Sequence, residues 1–257
     1  MGGVLIDPGP ESSLPALLEQ IGEEPPEALL LTHIHLDHAG ATGALVRRWP
    51  GLRVYVHERG APHLADPSKL IASASRLYGE QMERLWGEIV PVPETSITTL
   101  GGGEDVLGFR VAYTPGHASH PVCYLHSDSG RAFAGDVCAT RIPPANLIIP
   151  PTPPPDIDLE AWERSLDLVA AWEPTSLGIT HFGAIDDPPT HIAAVRERLR
   201  ELAERARELD ADGFEQRLRE EVAETMAGPD AEALIQAVPP AQQWAGLDRY
   251  WRKSAET

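Results

Sequence analysis

The stretch LLLTHIHLDHAG, residues 29–40, ends an apolar run by placing His33, His35, Asp37 and His38 inside six positions. Imidazole nitrogens and carboxylate oxygens are good ligands for zinc-like divalent ions. Crowded beside a buried strand end with nothing to bind, three imidazoles would repel one another when protonated. When neutral they would leave polar atoms unsatisfied. A divalent ion removes both costs. Four side chains from one short loop do not all reach a single ion with tetrahedral geometry. His33 and His35, at alternate positions, can point to one ion and Asp37 and His38 to a second, so each ion needs further ligands.

Later segments offer them. YTPGHASH (113–120) ends a strand in a Pro-Gly turn that presents His117. AFAGDV (132–137) ends another with Gly135 and Asp136, and GITHFG (178–183) a third with Thr180 and His181. Each has the same form: apolar strand, tight turn, ligand-type residue. Strand ends held by a rigid sheet are a general place to build a site.

The elements that must position these residues alternate between short strands and helices, then turn wholly helical. Strands are predicted at Val4–Asp7, Ala28–Thr32 and Arg53–His57, where Val54 and Val56 alternate with Arg53 and Tyr55. Further strands are predicted near 97–100, 106–114, 121–126, 131–134 and 177–179, with turns at Gly101–Gly103 and Ser127–Gly130. Helices are predicted from a Ser12 or Ser13 cap through Ile21, and over 40–49, 58–87 and 158–172. From Thr190 onward only helices are predicted, broken at Asp210–Gly213, Gly228-Pro229 and Pro239-Pro240. The Pro-rich stretch RIPPANLIIPPTPPPD (141–156) has ligand-type residues on both sides, so it reads as a rigid loop at the mouth of the site.

Composition narrows the function. With 257 residues, 42% of them apolar, the chain can bury a sizeable core. A formal charge of −18 argues against nucleic acid and against an anionic membrane surface. No apolar run reaches the roughly 20 residues of a membrane span. Met1-Gly2-Gly3 leads straight into Val4-Leu5-Ile6 without the basic region of a signal peptide, and a cytoplasmic location is expected. Cys123 and Cys138 read as buried reduced thiols, Cys138 close enough to Asp136 to line the site.

The ordered set HxHxDH, TPGH, GD and TH resembles the metallo-β-lactamase fold superfamily over roughly residues 4–185. Within it, the chain is most similar to the glyoxalase II and lactonase-type hydrolases and to small metallohydrolases with a helical tail. The resemblance implies an α+β fold, an αββα sandwich with two metals at one edge. Residues 1–189 would form the catalytic domain and 190–257 a helical extension, acting as a cap or in dimerisation. Relatives usually have two or three strands before the IDPG equivalent, so the first strands are expected to be lacking. The implied ligands are His33, His35 and His117 for one metal, and Asp37, His38 and His181 for the other, with Asp136 bridging. Asp7, in LIDPG, matches the aspartate that orients a ligand histidine.

Departures from the pattern refine it. Some lactamases end the first motif in Arg and use Cys where Asp136 stands; others keep the final histidine but lack the aspartate. Having both His38 and Asp136 points away from β-lactam hydrolysis. Flavodiiron relatives carry Glu in place of His35. Many relatives have histidine four places after the TPGH histidine; here Pro121 stands there and His120 precedes it.

The implied chemistry is hydrolysis of an ester, thioester or lactone by a hydroxide shared between two divalent ions, expected to be Zn2+, with Fe or Mn as alternatives. Asp37 would also carry a proton to the leaving group. The alternative is a mononuclear iron enzyme like the persulfide dioxygenases; a non-catalytic relative is a third. A small-molecule substrate is expected, without nucleic acid or membrane partners, and with a homodimer as one assembly. Arg141 and Phe182 are candidates to touch substrate. Tyr78 and Trp86 follow helical spacing and read first as core. In the tail, Ile192, Val195, Leu199 and Leu202 predict an amphipathic helix, and DRYWRK (248–253) supplies basic and aromatic groups.

Overall fold

The computed structural model describes residues 3–256; Met1 and Gly2, on which the expectation about a leader turned, lie outside the described residues. The chain groups into two compact units. The first runs up to Glu104 and takes in Val111–Tyr113; the second holds Asp105–Arg110 and the chain from Thr114 onward.

In the first unit the order is β1 (Leu5–Ile6), α1 (Leu14–Ile21), β2 (Ala28–Leu30), α2 (Leu36–Ala39) and α3 (Thr42–Arg48). Then come β3 (Arg53–His57), α4 (Ala61–Ala65), α5 (Ser68–Tyr78), α6 (Met82–Trp86) and β4 (Ile97–Leu100). The strands form one sheet in the order β1-β2-β3-β4, every pair parallel. Parallel strands covered on both faces call for a continuous apolar run, and Ala28 through Leu31 is wholly buried. Leu29, Leu31, Leu45, Val54 and Val56 share its core.

Two expectations fail here. Ser13 stands at the N-cap position of α1 but makes no side-chain capping bond: the chain already turns at Glu11–Ser13, and the Ser13 hydroxyl donates back to the Pro10 carbonyl at 2.9 Å. The segment 58–87 is not one helix but α4, α5 and α6, divided by Asp66-Pro67 and by Gly79 at φ +52. Its apolar residues are therefore mostly half-covered, and Leu77 is exposed. Tyr78 and Trp86 are half-buried and pack edge to face, with ring centroids 4.9 Å apart, rather than filling the core.

The second unit begins with β5 (Asp105–Val106) and the first two residues of β6 (Phe109–Tyr113), strands that make a hairpin where the sequence pattern predicts one strand. Leu107 at φ +52 and Gly108 at φ +82 make the turn. Next are β7 (Val122–His126), β8 (Arg131–Phe133), α7 (Leu159–Ala171), β9 (Ser176–Ile179) and β10 (Gly183–Ile185). The sheet order is β10-β9-β8-β7-β6-β5, mixed in direction. The helices α8 (Pro188–Glu208), α9 (Ala211–Thr225), α10 (Pro229–Ala237) and α11 (Pro240–Ala255) complete it.

Aspartates start three of these helices. Asp158, Asp187 and Asp210 accept from the backbone N–H of Ala161, Thr190 and Gly213 at 2.8, 3.2 and 2.9 Å. The predicted break at Asp210–Gly213 therefore lies at Leu209-Asp210, because Ala211–Gly213 already form the first turn of α9. Ile192, Val195, Leu199 and Leu202 are all buried and share one core with Trp162, Leu177, Phe214 and Leu247. Tail helices and sheet thus pack around a common interior. Among the described residues, no helix is long and apolar enough to cross a membrane.

The tail also carries a pH-sensitive contact. The Tyr250 hydroxyl donates to Glu160 at 2.7 Å, and burial, with that carboxylate, pushes the phenol up to about 12. An unfolded phenol ionises near 10. The contact's contribution is therefore complete below pH ~10 and disappears as pH rises through the folded value. Tyr250→Phe should flatten that alkaline loss in urea unfolding followed across pH ~10 to ~12.

Candidate metal centre

In the first unit, β1 ends at Asp7, whose φ of +48 turns the chain while its N–H still donates to Leu30 O at 3.1 Å. Short polar side chains tolerate that left-handed conformation better than most. The Asp7 carboxylate then accepts three hydrogen bonds. Oδ1 takes the Thr32 N–H at 2.7 Å; Oδ2 takes the Thr32 hydroxyl at 2.6 Å and His38 Nδ1 at 2.9 Å.

Those bonds decide where protons sit. A carboxylate only accepts, so His38 donates from Nδ1; in the neutral imidazole that metal ligation requires, Nε2 then carries the lone pair. Thr32 has given its single hydroxyl hydrogen to Asp7. Its oxygen can then only accept from His33 Nδ1, 3.1 Å away. His33 is thereby fixed in the same tautomer. One carboxylate orders two imidazoles, and Asp7, His33 and His38 offer atoms within 4.8 Å of one another. His35 joins through Nδ1, 3.1 Å from His33 Nε2, and Asp37 Oδ2 lies 3.6 Å from His38 Nε2. His33 and His38 are buried, whereas the Asp37 side chain is 30% exposed.

The second unit gathers His117, Asp136 and His181. The loop after β6 is tied down on each side: Ser165 Oγ donates to Pro115 O at 2.6 Å, and Asp158 N–H donates to Gly116 O at 2.9 Å. His117 Nδ1 donates to the Pro151 carbonyl at 2.7 Å, since a carbonyl can only accept. Its Nε2 lies 3.3 Å from Asp136 Oδ2. Asp136 stands in the tight turn Gly135–Cys138, only 4% exposed. Its Oδ1 lies 3.3 Å from His181 Nε2. His181 occupies the three-residue tip of the β9–β10 hairpin, where Phe182 adopts φ +75. Sequence periodicity misses β10 because it is short, and Gly183 and Ala184 are exposed.

This donor set fits divalent metal ions. Where an imidazole nitrogen lies beside a carboxylate oxygen, as at His117–Asp136 and His38–Asp37, the pair calls for a positive charge between its atoms, which a proton or a divalent ion supplies. Imidazole and carboxylate are the donors zinc and iron accept. Fixing the proton on the far nitrogen is what carboxylates and carbonyls behind metal-binding histidines do. Asp7→Asn should therefore cut metal affinity about 10–100-fold. The asparagine amide would present hydrogens toward His38 or Thr32, and chelator competition reads the change.

Other sequence candidates fare differently. Arg141 turns into its own loop, donating to Ala145 O at 3.0 Å and Asn146 Oδ1 at 2.7 Å. Phe182 is exposed beside His181. Cys138 does not line an open site: it is fully buried in the apolar core, and burial raises its thiol well above the ordinary value. Pro121 supplies a carbonyl that accepts from Thr114 N–H at 2.9 Å. Sequence reasoning misses Thr32 and Pro151. Thr32 has a signal in its place before His33; a backbone carbonyl has none.

Comparison with known proteins agrees with this chemistry. The family model of the metallo-β-lactamase superfamily matches residues 1–212. The chain belongs to the metallo-β-lactamase superfamily. That superfamily generally comprises metal-dependent hydrolases.

A relative, metallo-β-lactamase fold-containing protein ST1585 of Sulfurisphaera tokodaii, is 28% identical over 71% of this chain and 69% of its own. A solved structure of an archaeal superfamily protein, ST1585 from Sulfolobus tokodaii, matches the fold over 96% of this chain and 90% of that one. The TM-score is 0.72 at 24% identity. A hydroxyacylglutathione hydrolase of Xylella fastidiosa is 34% identical over 52% of this chain, and the match spans only 40% of that enzyme. The structure of TTHA1623 in a di-iron-bound form aligns with 71% of this chain and 83% of that one, at 29% identity and TM-score 0.55. The metallo-β-lactamase fold with a C-terminal helical extension is thus the architecture of this chain.

Proposed function

We propose that this protein is a dinuclear metal-dependent hydrolase of an ester, thioester or lactone. His33, His35 and His117 hold one divalent ion, Asp37, His38 and His181 hold the other, and Asp136 serves both. The observation that carries the reading is the tautomer control. His33, His38 and His117 each have Nδ1 engaged by an acceptor, leaving Nε2 as the donor atom for a cation. Superfamily membership supports joining the two residue sets into one site.

When bound, the ions supply Lewis-acid polarisation and a water acidic enough to attack a carbonyl near neutral pH. The chain's own residues do the rest. His33 and His38 in one set, and His117 and Asp136 in the other, are buried and so shielded from bulk water. Asp37 is the half-exposed acid of the set and relays the proton to the departing alkoxide or thiolate. A thioester is the bond that hydroxyacylglutathione hydrolases are named for, which favours an acyl thioester among the candidates. Residues 190–257 serve as a helical extension to the catalytic residues 1–189.

Zinc is the proposed metal. Iron is its rival, given the di-iron form of TTHA1623. Elemental analysis of protein purified without chelator or added metal comes first, followed by a panel of lactones and acyl thioesters. About two zinc ions per chain with chelator-sensitive hydrolysis supports the reading. A single iron with oxygen uptake on a persulfide replaces it by the dioxygenase chemistry. Protein that takes up no metal on titration removes both.

A further inference from the structure

The peptide group between Pro151 and Thr152 has hydrogen bonds on both of its sides. Its carbonyl accepts from His117 Nδ1 at 2.7 Å. Its N–H donates to Gln243 Oε1, on α11, at 2.6 Å. The Thr152 hydroxyl adds a contact to the same Oε1 at 2.9 Å and to the Gln243 carbonyl at 3.1 Å. Thr152 and Gln243 are both buried, at 0% and 1% exposure. The helix is pressed against this loop: a Cβ added at Gly246 would meet Thr152 O at 1.9 Å. Three residues further on, Arg249 Nε donates to Pro155 O at 3.2 Å. Gln243, Gly246 and Arg249 thus form a seam along one side of α11.

We infer that Gln243 is a positioning residue for His117, acting through that peptide group. A peptide unit is planar and resists twisting, so a partner that fixes its N–H also fixes the direction of its C=O. The acceptor on the N–H also pushes electron density into the peptide group, which strengthens its carbonyl as an acceptor, because hydrogen bonds in a chain polarise one another. A side chain of the C-terminal helix therefore keeps the His117 proton on Nδ1 and its Nε2 available to a cation. The inference rests on the metal reading above for its consequence, but the proton's location can be tested without metal.

The test uses full-length protein with ¹⁵N-labelled histidine. In metal-free wild type, at a pH where the imidazole is neutral, ¹⁵N NMR should show His117 as the Nδ1–H tautomer. Gln243→Leu keeps the volume and removes the acceptor; it should give mixed tautomers and an affinity for zinc about tenfold lower by chelator competition. Gln243→Glu retains an acceptor oxygen and should keep the wild-type tautomer. Leu247→Ala, which hollows the core beneath the same helix, should lower stability yet leave the tautomer and zinc affinity unchanged.

Folded Gln243→Leu with wild-type tautomer and zinc affinity overturns the inference. So does an equal loss in Leu247→Ala, which would make the effect one of general tail packing. If Gln243→Leu does not fold, Gln243→Asn, which draws the amide back by one carbon, takes its place with the same expected result. Failure of both to fold makes Gln243 a residue of the fold and sinks the inference. Wild type that takes up no zinc counts against the hydrolase reading, while the tautomer comparison still decides this one.

Discussion

On the proposed dinuclear hydrolase reading, Asp136→Asn is expected to yield folded protein that retains at most one metal ion and hydrolyses the substrate on the order of 10³-fold more slowly. Loss of a group that merely orients a metal-binding histidine costs about 10–100-fold, and removing a shared ligand must exceed that. Asp136 is 4% exposed and has an imidazole nitrogen 3.3 Å from each of its two oxygens. Its charge favours a cation, a proton or a metal ion, between its oxygens and those two nitrogens. Asparagine has nearly the same shape, so the turn at Gly135–Cys138 should survive and circular dichroism should match wild type. Yet one of its two positions becomes an amide nitrogen, which cannot donate a lone pair to metal. Metal stoichiometry by elemental analysis and the rate on the best thioester or lactone check the two halves separately. Full metal content with an unimpaired rate would remove Asp136 from the centre.

Gly116→Ala is expected to destabilise the protein by about 2–6 kcal/mol, combining overpacking of about 1–3 with backbone strain of similar size. Gly116 precedes His117 with φ +139, a conformation that glycine alone adopts readily. A Cβ there would lie 2.4 Å from Trp162 Cα and 2.5 Å from Trp162 N, backbone atoms of α7 that have nowhere to go. Trp162 is itself locked by donating Nε1–H to Val137 O at 2.8 Å. Gly228 is a matched control: it also has positive φ, +64, but a methyl group added there would meet nothing within 4 Å. Gly228→Ala should cost only the backbone penalty of its glycine-favoured conformation, φ +64 and ψ −145, about 1–3 kcal/mol. The difference between their urea midpoints isolates the close approach of loop and helix. Equal midpoints would show that the loop can move aside.

How much of this is legible beforehand depends on the range of the forces involved. Strands β3 and β4 match their predicted bounds because alternation and flanking turns are local signals. Helix α7 lies within a residue of its predicted bounds at each end, since Asp158 is a strong cap at a recognisable offset. The cap at Ser13 fails because the preceding turn captures its hydroxyl, and β10 is lost because a three-residue strand has too little pattern.

The site divides in the same way. The sequence by itself determined which side chains carry ligand atoms, their order along the chain, and their placement after strand ends. Those depend on residue chemistry and on turns that neighbouring residues encode. Only the tertiary structure decided where the protons sit. Asp7 reaches Thr32 and His38 from another strand, Pro151 meets His117 across 34 positions, and Gln243 holds the Pro151–Thr152 peptide from 91 positions away. Two of those partners act on a peptide group, which every residue possesses and no spacing marks. A tautomer is set by such a long-range acceptor, and it exists only once the chain has folded.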